Sequence, residues 1–174
     1  MMKTRKMIIL SLFSAISIVL TRLLAFYIPL FGSNDVRISL GDIPIMLAGL
    51  IFGPLSGALT GLVSDIIGAT LLPAGPFFPG FSLSAMLVGA IPGLLKNFIF
   101  RSTRFPHLLM IILITELISS VLLNTLWLSM IFSIPYSVLL FPRTLITLIM
   151  VLVYASILQL LLKRLKKSGL TEFL

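Results

Sequence analysis

The sequence predicts an all-α integral membrane protein built as a bundle of six transmembrane helices. Three observations lead there. Hydrophobic residues make up 59% of the 174 and charged residues only 10%, where a soluble domain carries roughly a quarter charged. Apolar runs close to the ~20 helical residues that a bilayer core requires recur along the chain, separated by short glycine-, proline- or arginine-bearing breaks. The basic residues gather beside those runs rather than spreading over a surface.

The first span, 7–29, follows the basic head of MMKTRKMIILSLFSAISIVL. That head resembles a signal peptide, but the apolar run is too long, no small-x-small cleavage site follows, and further spans come after it. Ser11 and Ala15 form a small-xxx-small pair on this span, suited either to an internal contact or to docking another membrane subunit. The second and third spans, 36–53 and 55–72, are short and meet at Phe52-Gly53-Pro54, a helix break and restart. Their run LAGLIFGPLSGALTGLVSDIIGA holds Gly49, Gly53, Gly57, Gly61 and Gly68, and small residues let backbones approach where lipid removes any hydrophobic drive between helices.

The fourth span, 82–100, is introduced by LLPAGPFFPGFSLSA at 71–85. A turn needs one glycine or proline; this stretch holds three prolines, two glycines and Phe77, Phe78 and Phe81. It reads as a packed plug or as a lid. The fifth span covers 108–131, with His107 beside Pro106 as an interfacial residue, and the sixth covers 142–163, opened by Pro142 and Arg143. The six spans read as a single domain over 1–174.

Net charge is +8, from 13 Lys and Arg against 5 Asp and Glu. Lys3, Arg5 and Lys6 precede the first span, Lys96, Arg101 and Arg104 flank the fourth connection, and Lys163, Arg164, Lys166 and Lys167 follow the sixth. Six spans bring all three groups to one side, which the positive-inside rule makes cytoplasmic. Both termini are then expected inside, the phenylalanine-rich stretch outside, and the charge reports topology instead of a nucleic-acid partner.

Chemistry is restricted. The sequence has no cysteine, which excludes disulfides and thiolate sites, and it has no HExxH, GxSxG, Ser-Lys or P-loop pattern. No catalytic residue, metal or cofactor is expected. Six spans without an obvious repeat or a row of ion-coupling acids do not suit a self-sufficient secondary transporter.

Polar residues inside the spans each need a reason, because an ionisable group at the bilayer centre costs about 2.5–3.5 kcal/mol on insertion scales. Arg22, Asp65 and Asn124 each lie about seven residues before the outer end of spans one, three and five, a shared depth of ~10 Å. Trp127 stands one turn above Asn124. With Arg143 at the rim and Phe77, Phe78 and Phe81 as a cover, these residues describe a cup open to the outside, aromatic-walled as a small-molecule site requires. The alternative is structural: Arg22 and Asp65 neutralise each other and Asn124 joins two helices. Glu116 lies deeper on the stripe through Ser120 to Asn124 and is expected to brace the bundle.

VLTRLLAF, DIPIMLAGLIFGPLSGALTGLVSDIIGA, GPFFPGFSLSA, LNTLWLS and VLLFPRTLITLIM together resemble the substrate-binding S components of energy-coupling factor (ECF) vitamin transporters, and among them the folate family. GPFFPGFSLSA and LNTLWLS are the specific parts. The resemblance implies a six-helix S component in the bacterial cytoplasmic membrane, without enzymatic activity. It would capture folate or reduced folates from outside and deliver them to a membrane scaffold subunit with two ATPases, toppling within the lipid to do so. Ser11-xxx-Ala15 stands where the family often has Ala-xxx-Ala, and would dock that scaffold. On this resemblance Trp127 and Phe77, Phe78 or Phe81 stack the pterin, Asp65 and Asn124 accept from its amino edge, and Arg143 or Arg22 takes the glutamate carboxylates. Riboflavin or pantothenate are alternative ligands. A small membrane enzyme or assembly factor using Asp65 and Glu116 is the alternative from another class.

Overall fold

The computed structural model describes residues 2–28, 36–73, 77–98 and 104–167, and among these not the side chains of 2, 3, 27, 28, 36 and 37. Residues 74–76 of the expected cover, Arg101, and the side chains of Lys3 and Arg37 lie outside that description. Among the described residues, five helical stretches are long and apolar enough to cross a membrane: Thr4–Arg22, Pro54–Leu71, Pro79–Phe98, Phe105–Phe132 and Tyr136–Lys167.

α1 (Met2–Arg22) ends seven residues before the expected end of its span. Beyond it, β1 (Phe26–Ile28) pairs antiparallel with β2 (Val36–Ile38) in the register Phe26 to Ile38. Ile28 precedes Pro29, which disfavours helical backbone, and aromatic and β-branched residues suit a strand. The expected second helical span is therefore corrected. Only α2 (Asp42–Phe52) is helical, and its 11 residues reach about 16 Å at 1.5 Å each, half a bilayer core.

α2 starts inside the bundle, and its entry is hydrogen-bonded from three sides. Ser39 Oγ accepts the Gly41 N–H at 2.9 Å, Ser17 Oγ donates to the Gly41 carbonyl at 2.8 Å, and Tyr154 Oη donates to the Ser39 carbonyl at 2.6 Å. At its other end, Lys96 Nζ donates to the Leu50 carbonyl at 2.7 Å and Lys6 Nζ to that of Phe52 at 3.4 Å. Two cations thus meet the carbonyl-rich, electronegative helix end. Gly53 follows with φ 91°, the left-handed region that glycine enters without steric cost, and Pro54 opens α3 (Pro54–Leu71). The expected break is where the sequence put it.

α4 (Pro79–Phe98) lies against α2 and α3. A Cβ added to Gly57 or Gly89 would run into the other glycine's backbone, so these helices touch main chain to main chain. α5 (Phe105–Glu116), a seven-residue π-helical segment (Leu117–Leu123) and α6 (Asn124–Phe132) form one unbroken rod. Its wide turn shows in the Asn124 N–H, which donates five residues back to the Ser119 carbonyl. α7 (Tyr136–Lys167) returns along α5. Ile43, Met46 and Leu50 of α2 pack with Leu108, Ile111 and Ile112 of α5 and Val151, Tyr154 and Leu158 of α7 as the apolar core.

Candidate substrate-binding site

α1 places Arg22 at its last residue, and α3 places Asp65 six residues short of Leu71. Arg22 Nη2 and Asp65 Oδ1 lie 3.4 Å apart, with side chains 10% and 16% exposed. Gly68 makes room: a Cβ there would stand 3.1 Å from Arg22 Nε. The second carboxylate oxygen accepts from Ser82 Oγ of α4 at 2.7 Å. The mutual neutralisation weighed from sequence is thus present, with a serine that the sequence reading passed over.

The aromatic cluster forms on another side of α4. The connection after α3 is short, and Pro79 opens α4, so Phe81 belongs to the first helical turn and not to a loop. Phe78 lies 5.6 Å from Trp127, centroid to centroid, and 6.0 Å from Phe81 in an edge-on arrangement. Trp127 Nε1–H donates to Ser84 Oγ at 3.1 Å. Phe77 is 55% exposed. Ser82 and Ser84 are about 200° apart around the helix, so the Arg22–Asp65 pair and the Trp127 cluster meet α4 on different faces. The expected single cup divides into two groups with the start of α4 between them.

Arg143 is displaced from its expected place. α7 begins at Tyr136 and carries Pro142 within it, so Arg143 is two turns into the helix rather than at a rim. Its Nη2 donates to the Ser120 carbonyl of the π segment at 3.3 Å. The helix therefore starts six residues earlier than the expected span. Arg143 reaches down to the buried rod, and Arg22 sits at the end of α1. Proline inside a helix removes one donor and crowds the carbonyl four residues back, which bends or weakens the helix without having to start one.

That rod holds the polar atoms left over. Glu116 Oε1, Ser119 Oγ, Asn124 Oδ1 and Thr125 Oγ1 are buried without a hydrogen-bond partner among the described residues. Glu116 and Thr125 are 2% and 0% exposed. A desolvated polar atom costs about 1–3 kcal/mol, and these four lie on one stretch of ten residues. Ser82 and Ser84 are residues of the candidate site that sequence reasoning missed. Their signal was the polar spacing inside an otherwise apolar helix start.

Residues 5–173 match the family of ECF transporter substrate-specific components. The chain belongs to that family. It is 33% identical over 128 residues to the folate transporter FolT of Clostridium novyi, and 30% identical over 129 residues to the FolT of Leuconostoc mesenteroides. Each alignment covers 74% of this chain, and 70% and 66% of those relatives. Among solved structures, a FolT bound with folic acid superposes with a TM-score of 0.71 at 28% identity, covering 86% of this chain and 87% of that one. The S component of a bacterial ECF transporter shares the fold, with a TM-score of 0.66 at 22% identity over 95% and 97% of the two chains.

Proposed function

We propose that this chain captures folate at the outer face of a bacterial cytoplasmic membrane and passes it to an ATP-driven coupling module. The reading rests above all on the Phe78–Trp127 pair beside Asn124, within a fold matched by a FolT bound with folic acid. Both termini are taken as cytoplasmic. Lys6 and Lys96, from the first two basic groups, reach the same end of α2, which supports a common side for those groups. The aromatic site lies toward the other end.

Folate joins a flat pterin to an aminobenzoyl ring and a glutamate. The pterin stacks on Trp127 with Phe78 and Phe81 at its border, since aromatic pairs gain about 0.5–1.5 kcal/mol beyond area burial. Asn124 Oδ1 accepts from the amino edge of the pterin. Arg143 meets a glutamate carboxylate, a charge-assisted contact suited to guanidinium geometry. Phe77 covers the opening. Arg22 and Asp65 serve the ligand through α4: with Ser82 they fix the helix start that carries the aromatic cluster. Ser11 and Ala15, both exposed on α1, face the membrane scaffold subunit, which works with two ATPases.

Trp127 is the only tryptophan, so its emission tests the ligand directly. Purified, ligand-stripped protein titrated with folate is expected to show saturable quenching at sub-micromolar concentration, with no response to riboflavin, pantothenate or thiamine. A response to one of those instead keeps the transporter reading and replaces the substrate. The arginine assignment has its own test. Arg143→Ala is expected to weaken folate about tenfold or more, as loss of a hydrogen bond to a charged group does, and to leave a pterin without glutamate nearly unaffected. Equal losses for both ligands would remove Arg143 from the carboxylate.

A further inference from the structure

We propose that Gly80 and Ser84 form a two-point seat on α4 that fixes the plane of the Trp127 indole, making both of them positioning residues for a flat aromatic ligand. The inference rests on the reading that such a ring stacks on Trp127. Gly80 and Ser84 are four residues apart, one turn along the same helix face.

The upper point is a close approach. A Cβ at Gly80 would stand 2.6 Å from Trp127 Cδ2 and 2.8 Å from Cε2. Those are the ring-fusion atoms, flanked in plane by other ring atoms, so a group that near to both lies over the face of the indole. Only the bare Cα of glycine lets α4 back that face. The same Cβ would also stand 2.5 Å from Phe78 Cε1, so both aromatic rings converge on this one residue.

The lower point is polar. The indole N–H donates to Ser84 Oγ at 3.1 Å, and Ser84 is 2% exposed. Water has little access to replace the bond, and in an apolar interior an unmet N–H is costly. One contact over the ring face and one at its edge nitrogen hold both the tilt of the indole and its rotation. With α4 behind one face, a flat ligand stacks on the opposite face, in an orientation that the seat sets. Gly80 and Ser84 offer the ligand nothing themselves. Their effect passes through Trp127 and applies to any flat ring, with or without a glutamate tail.

The test uses full-length protein labelled with 15N-tryptophan, which gives one indole N–H cross-peak. In Ser84→Ala the cross-peak is expected to move upfield and exchange faster with solvent, and in Gly80→Ala to move as the ring is displaced. Ser84→Thr, which keeps the hydroxyl, returns it toward its original position. Binding of folate and of unsubstituted pterin should weaken by the same factor, about tenfold in Ser84→Ala, the scale of a lost buried hydrogen bond. The seat is overturned by a cross-peak unmoved in Ser84→Ala, by weakened binding without spectral change, or by weakening of only one ligand. Should Gly80→Ala fail to fold, the Ser84 pair decides the matter. If the unaltered protein binds neither ligand, the proposed function fails, and the cross-peak alone still decides the seat.

Discussion

Around α3, Ser14 of α1 donates to the Thr60 carbonyl, Thr60 and Ser64 bond within their own helix, and Asp65 is shared by Arg22 and Ser82. Along the rod from α5 to α6, by contrast, Glu116, Ser119, Asn124 and Thr125 each keep a buried polar atom unpartnered among the described residues. The first region is held by close glycine contacts and completed hydrogen bonds. The second bears a desolvation cost that its own packing does not remove. A frame needs satisfied groups, whereas a recognition surface needs groups whose partner comes from elsewhere. On the proposed reading the π segment belongs with the second kind. Its wide turns interrupt regular helix bonding, and such segments occur frequently at functional sites.

Changes at three places would break or sharpen that contrast. The largest effect is expected in the frame. Gly89→Leu forces α4 away from the Gly57 backbone and should destabilise by about 3 kcal/mol or more, read as a lower melting temperature in detergent. An unchanged melt would mean that the two helices do not rely on main-chain contact.

Next comes the ion pair. Asp65→Leu alone leaves Arg22 largely buried without its carboxylate and should cost about 3 kcal/mol. Arg22→Met with Asp65→Leu replaces the whole pair by apolar side chains, and should recover most of that stability. On the proposed reading the double variant also keeps folate affinity within about threefold of the original, under 1 kcal/mol. A far larger loss would put the pair in direct contact with ligand and undo the division of the site at α4.

The smallest effect has the opposite sign. Thr125→Val removes a hydroxyl that has no hydrogen-bond partner among the described residues, from a side chain that is 0% exposed. It should raise stability by about 1 kcal/mol, the low end of the desolvation cost of an unmet polar atom. A destabilised variant would show that the hydroxyl is engaged after all, and would move this position from the recognition surface into the frame.

Much was legible beforehand because membranes leave few choices. Spans must be apolar and helical, since lipid cannot satisfy a backbone, and the break at Gly53-Pro54 follows from what those two residues permit and forbid. The pairing of Arg22 with Asp65 was also readable, as one of two alternatives, from similar distances to the ends of their spans. Other features were not. The length of the second span misled because Val36, Ile38 and Leu40 were read as extending the apolar run of α2, yet Val36 and Ile38 pair with β1 instead. Arg143 misled because a proline usually signals a helix start, and here it lies inside one.

The sequence by itself determined a lipid-embedded helical bundle, the helix junctions and the inventory of polar and aromatic residues available to a ligand. Hydropathy and backbone sterics act over a few residues, so they can be read along a single chain. Only the tertiary structure decided which side of α4 each residue serves. Ser82 turns to Asp65 and Ser84, two positions on, turns to Trp127. That separation depends on which helices flank α4, and helix neighbours are chosen by packing between segments far apart in sequence.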